Sequence, residues 1–220
     1  MRGQDYVFEN CFGAGSGFIP PEVGPGVDPL IRADRAYQRA AALFYSSRYR
    51  EAAAAFQRIA ADAKSPWSGW GQYQAGRCTL WEARTSPPDS PQYLAKLRQA
   101  EGELRRAAGG DAPPEVRDAA RWMLARILMR TKPAEAATLL SGRLLSPLRA
   151  EARAAELRLF TQLLDNLAAD PSALAEARAA DELVDWIFTF QGEEAADAEH
   201  AVERWREERS VAWLVAACRK

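Results

Sequence analysis

His200 is the sole histidine in the 220 residues, and it stands among Glu193, Glu194, Asp197, Glu199 and Glu203. Imidazole and carboxylates together can ligate a divalent metal. Zinc hydrolases, however, use paired histidines at helical spacing, and this acidic run has Arg204 and Arg206 within reach as ordinary ion-pair partners. The same histidine is the only available base for a Ser-His-Asp arrangement, and no nucleophile-elbow motif accompanies it. Gly13-Ala14-Gly15-Ser16-Gly17 has the glycine content of a phosphate loop but lacks the Gly-Lys-Ser/Thr ending and a preceding buried strand. Cys11, Cys78 and Cys218 are odd in number, widely spaced and without a Cys-x-x-Cys pair, which argues against a disulfide framework or a zinc knuckle. Cys11 and Cys78 are nucleophiles in principle, with no partner visible in sequence. The expectation is a protein that is not an enzyme, with no metal and no cofactor.

Recognition is the other chemistry the chain offers. At helical spacing Trp70, Tyr73, Arg77, Leu80, Trp81 and Arg84 fall on one stripe, while Gly71, Ala75 and Cys78 fall on another. Small residues admit a neighbouring helix closely. Aromatic rings mixed with guanidinium groups form the composition of a binding hot spot, able to stack on a peptide and orient its carboxylates. The same rings could equally fill the seam between helices. Arg32, Arg35 and Arg39 form a further stripe, either a solvated face or a phosphate contact.

These residues need helices to position them, and the chain punctuates helices clearly. Asp28-Pro29, Ser65-Pro66, Ser90-Pro91, Ser146-Pro147 and Asp170-Pro171 each set an N-capping oxygen before a proline suited to the first helical turn. Pro113-Pro114 and Pro133 open two more, and Gly109-Gly110 closes one through a left-handed residue. The spacing predicts helices over 29–46, 49–63, 66–84, 91–108, 114–130, 133–145, 147–168, 171–190, 193–209 and 211–219. Thr85 to Ser90, with Pro87 and Pro88, reads as a stiff loop. Residues 1–27, broken by glycine and proline, read as an extended arm carrying Tyr6, Val7, Phe8, Phe12, Phe18 and Ile19, or as a mobile terminus.

Composition agrees with an all-α chain: hydrophobic residues make up 48%, alanine dominates, and Val and Ile are sparse. The formal net charge of −1 conceals an asymmetry, since residues 31–130 carry 17 Lys+Arg against 10 Asp+Glu and residues 131–220 carry 11 against 16. The basic part could attract an acidic peptide or nucleic acid. Only Lys64, Lys96, Lys132 and Lys220 are lysine, and the arginine and alanine richness matches a GC-rich bacterial genome, so arginine content alone is no sign of phosphate binding. No stretch has the length and apolarity of a signal peptide or a membrane span. The compartment expected is the bacterial cytoplasm, or the periplasm if a leader was removed.

Ala36-Tyr37, Ala40, Leu43-Phe44, Tyr49-Arg50-Glu51-Ala52, Phe56, Ile59 and Ala60 have the pattern of one helical hairpin. Tyr73-Gln74-Ala75-Gly76 with Ala100 and Leu104, and Ala120, Arg121, Leu124 and Ile127 with Glu135-Ala136 and Leu140, overlay on it more loosely. This resembles the tetratricopeptide repeat family over residues 29–145. The resemblance implies antiparallel hairpins stacked as an α-solenoid (28–145), with 146–220 as a helical cap. It also implies a groove lined by the first helix of each pair. On that basis Tyr37, Tyr45, Trp70, Tyr73, Arg77, Trp81 and Arg121 are the candidate partner-binding residues. The lysine and asparagine of the family's carboxylate clamp have no counterpart between Tyr37 and Ala41. The aromatic-rich last third is similar to the tails of bacterial helical repeat proteins, and the apolar run ending at Cys218 reads as part of a longer polypeptide.

The expectation is a non-enzymatic scaffold that binds a protein or peptide and assembles a complex. The alternatives are a structural domain of a larger protein, and a helical array that binds nucleic acid through the basic part.

Overall fold

The computed structural model describes residues 17–147 and 150–219. Among them the chain is all-helical, with eleven helices: α1 Pro29–Tyr45, α2 Tyr49–Ala61, α3 Ser68–Ala83, α4 Pro91–Gly109, α5 Pro114–Thr131, α6 Pro133–Leu144, α7 Ala150–Ala168, α8 Pro171–Ala180, α9 Glu182–Gln191, α10 Ala195–Glu208 and α11 Val211–Arg219. No helix among the described residues is long and apolar enough to cross a membrane. The chain divides into two compact units, Met1–Leu124 and Ala125–Lys220, with the division inside α5. That division differs from the boundary at 145/146 expected from sequence, because α6 packs on α7 and α8.

The capping code works where the cap meets free amides. Asp28 accepts from the Leu30 amide, Ser90 from Tyr93, and Asp170 from both Ser172 and Ala173, each with proline at the start of the helix. Two of the expected caps are used otherwise. The Ser65 hydroxyl accepts from the Trp67 amide and holds a turn, so α3 starts only at Ser68. The cause is Trp67, whose indole N–H donates to Asp34 at 2.7 Å and whose ring lies against Tyr37, pulling the segment toward α1 before it coils. Ser146 donates its hydroxyl back to the Gly142 carbonyl and so finishes α6.

Two further expectations are corrected. Gly110 closes α4 with φ −82° in an extended conformation, and the left-handed positions among the described residues are instead Gly17, Ser47, Asp89 and Arg209. The helix expected over 171–190 is two helices, broken at Asp181 with φ −141° and ψ 117°. Asp181 gains from the break. One carboxylate oxygen caps α9 through the Val184 amide at 3.0 Å, and the other takes the Ser141 hydroxyl of α6. Tertiary hydrogen bonding thus outcompetes the helical preference of the alanines before it.

In the N-terminal unit α1 packs on α2, α2 on α3 and α3 on α4, so consecutive helices form hairpins. The core between them is Ala40, Phe44, Ala52, Ala53, Phe56, Ile59, Ala75 and Cys78. Glycine sets the spacing at one seam: a Cβ on Gly71 would lie 2.9 Å from the Phe56 carbonyl and the Ala60 amide of α2. Small residues there let α2 and α3 approach backbone to backbone, as the stripe of Gly71, Ala75 and Cys78 implied.

In the C-terminal unit α6 packs on α7 and α8, and α9, α10 and α11 pack on one another. Trp213 is fully buried among Ala201, Ala216, Trp186, Phe190 and Trp205.

Of the N-terminal arm, residues 1–16, with Tyr6, Val7, Phe8, Cys11, Phe12 and most of the glycine-rich loop, lie outside the described residues. Residues 17–27 lie along α1. Arg39 and Arg35 donate to the carbonyls of Pro20 and Pro21, at 2.5 and 2.9 Å, and Arg39 also pairs with Glu22 at 3.1 Å. Two members of the arginine stripe therefore fasten the chain's own backbone.

Candidate partner-binding surface

Helix α3 meets α2 with one flank, through Gly71, Ala75 and Cys78, and α4 with another, where Gly76 sits under Leu104 and the Thr79 hydroxyl reaches Glu103. Its remaining arc carries Trp70, Tyr73, Arg77, Leu80 and Trp81, all half-buried, and the exposed Arg84. Helical periodicity had separated these two sets, but they meet at Trp81, which packs against the same core that Ala75 and Cys78 enter.

Rings and guanidinium groups are interleaved along this arc. Trp81 stacks on Tyr49 with centroids 6.3 Å apart and an interplanar angle of 26°, and meets the Phe44 edge at 6.2 Å. Arg84 lies over Trp81 at 4.5 Å and Arg77 over Phe44 at 4.4 Å, while Arg77 also donates to Gln74. Trp70 and Tyr73 make an edge-to-face pair at 6.0 Å. Such contacts fix ring orientation, and each guanidinium keeps N–H groups at its edge free of the ring beneath it. Burial pushes the Tyr73 hydroxyl above its ordinary pKa, against the opposing pull of Arg77, so it stays a neutral donor and acceptor.

The other candidates fall in different places. Tyr45 is exposed at the end of α1, edge-on to Phe44 at 5.3 Å. Tyr37 belongs to the seam: its ring packs on Phe56 and Trp67, both at 5.3 Å, and its hydroxyl accepts from Gln74 at 3.2 Å. Desolvation raises its pKa as well. Arg121 sits on α5, paired with Asp118 one turn back at 3.5 Å. The structure thus gathers Tyr45, Arg77 and Trp81 around Phe44 and Tyr49, pairs Tyr73 with Trp70, and packs the half-buried Tyr37 against the core.

Cys78 is buried in the same core, and desolvation, reinforced by Glu103, pushes its pKa up to about 12 despite Arg77. A thiol held that firmly protonated is a packing group.

The C-terminal unit holds a polar centre that sequence reading missed. Asp185, on α9, accepts from Arg178 Nε at 2.9 Å and is 2.8 Å from His200 Nε2, while Arg178 also donates to Thr189 at 2.9 Å. His200 lies edge-on to Trp213 at 5.7 Å. Arg204 lies over the same indole at 5.1 Å and pairs with Glu208. His200 therefore faces a buried carboxylate of another helix, not the acidic residues around it in sequence. No group of three potential ligands suited to a metal occurs among the described residues. A cavity of about 720 Å³ opens beside Arg178, Asp185, His200 and Arg204. Only the sequence spacings of seven and fifteen residues between Asp185 and its partners could have hinted at this centre, and neither spacing is distinctive.

No protein-family model, no curated protein and no solved structure matches the chain.

Proposed function

We propose that the N-terminal unit is a tetratricopeptide-like module that binds a segment of another protein, and that the chain serves as a scaffold and not a catalyst. The observation that carries this reading is the half-open arc of α3. Tyr73, Arg77 and Trp81 are each half-buried, so they keep solvent-facing surface beside the core contacts that hold them. Trp81 is already held by Phe44, Tyr49 and Arg84, Arg77 by Phe44 and Gln74, and Tyr73 by Trp70, so docking onto them orders few rotamers, and rigid aromatic and arginine anchors bind with little entropic loss. An extended or helical peptide would lay apolar side chains on Trp81 and Tyr73 and a carboxylate against Arg77.

The test begins with partners recovered from the native host and identified by mass spectrometry. The triple variant Y73A/R77A/W81A is then compared with the parent protein. Loss of the recovered partner with an unchanged helical circular-dichroism spectrum is the expected result. Retention of the partner by a folded triple variant would reject this surface.

A further inference from the structure

The face of α1 and α2 turned toward the arm carries chemistry of its own. Residues 17–23 run antiparallel to α1: Gly17 lies near Ser46, Pro20 is held by Arg39, and Pro21 by Arg35. Between this strap and the α1–α2 crevice lies a groove of about 990 Å³. Its apolar lining includes Val23, Leu30, Leu43 and Ile59, and Leu30 is 56% exposed. The cations on it are Arg32, Arg35, Arg39, Arg58 and Lys64, against Glu22 and Asp62. Arg35 and Arg39 are committed to the arm. Arg32, Arg58 and Lys64 have no side-chain hydrogen bond or ion pair in the described structure, and they come from α1, α2 and the α2–α3 connection respectively.

We infer that this groove is a second docking site, distinct from the α3 arc, and that it takes an acidic segment of a partner protein bearing apolar side chains. Three unpaired cations contributed by three elements around an apolar floor match an amphipathic acidic ligand in sign and in shape. Single-stranded nucleic acid fits less well, because the lining holds no aromatic ring on which a base could stack. The apolar floor contributes affinity, and the cations contribute encounter rate and register. Binding therefore weakens as salt screens the rim.

The experiment uses the full chain and three fluorescein-labelled probes: a helix-forming peptide of glutamate with leucine at i, i+3 and i+4 spacing, its glutamine counterpart, and single-stranded DNA. Polarisation is read at low and moderate salt on the parent protein, on R32E/R58E/K64E, and on the neutral version R32Q/R58Q/K64Q, with circular dichroism confirming folding. The glutamate peptide should bind and lose affinity with salt. It should weaken about ten-fold or more in both rim variants, and the glutamine peptide should bind the parent about ten-fold more weakly. The Y73A/R77A/W81A variant should bind the glutamate peptide like the parent, so failure of the α3 surface and failure of this groove are read separately. Absence of binding, equal affinity for the two peptides, or indifference to both rim variants would overturn the inference. DNA held more tightly than the peptide through the same three cations would make the groove a phosphate site. Self-association of the parent, abolished in the rim variants, would make the occupant a second copy of this chain. Either result also overturns it.

Discussion

Glu103 in the N-terminal unit and Asp185 in the C-terminal unit are each 7% exposed, yet they are satisfied by opposite means. Glu103 accepts from neutral donors: the Thr79 hydroxyl at 2.7 Å and the Gln57 and Gln99 amides at 3.2 and 3.1 Å. Asp185 is held by the Arg178 guanidinium and the His200 imidazole. The first arrangement spends no cation on the interior, and Arg77 and Arg84 are left on the α3 surface, laid over rings. The second draws Arg178 inward, and Arg204 lies over the buried Trp213. At these two centres the N-terminal unit leaves Arg77 and Arg84 on the α3 surface, and the C-terminal unit uses Arg178 and Arg204 to hold four short helices together.

The sharpest way to break this contrast is at Asp185. Replacement by alanine leaves Arg178 partly buried without its main counter-charge and should cost about 3–5 kcal/mol, read as a lowered urea midpoint for the C-terminal unit. Gly71→Ala comes next: a methyl 2.9 Å from two backbone atoms forces α2 and α3 apart, for a loss of about 2 kcal/mol confined to the N-terminal unit. Glu103→Gln should cost only about 1 kcal/mol, because the amide oxygen can still accept while its amino group meets donors that must reorient. If Glu103→Gln proved as damaging as Asp185→Ala, the distinction between neutral and ionic satisfaction would fail.

Cysteine labelling sharpens which unit has opened. In a Cys11→Ser background, Cys218 is exposed and should react at once with a thiol reagent near neutral pH. Cys78, buried and protonated up to about pH 12, should react only as the N-terminal unit unfolds. Gly71→Ala should accelerate Cys78 labelling, and Asp185→Ala should leave it slow.

Local signals in the sequence were legible wherever local chemistry decided the outcome. Asp28, Ser90 and Asp170 cap the helices they precede, and the small-residue stripe of Gly71, Ala75 and Cys78 on α3 is buried against its neighbours. Sequence reading failed where a distant group intervened. Trp67 delays α3 because Asp34, thirty-three residues earlier, accepts its indole N–H. The run from Ala179 to Glu182 contains no glycine or proline, so nothing nearby announces the break that Ser141 helps to stabilise from forty residues away. Tyr37 was assigned to the groove by analogy between repeats. Its neighbours Phe56 and Gln74 place it in the seam instead.

The break at Asp181 has a consequence for how this chain can vary in length. A single extended residue, Asp181, is all that separates α8 from α9, so there is no slack between them. Adding or removing a single amino acid on the α9 side would rotate that helix by about 100°, swinging Asp185 off the imidazole and presenting Val184 to water. The stretch from Thr85 to Ser90 can absorb such an edit in its turns. An evolving lineage could therefore lengthen the chain before α4 freely, while the α8–α9 joint would tolerate changes of letter far better than changes of count.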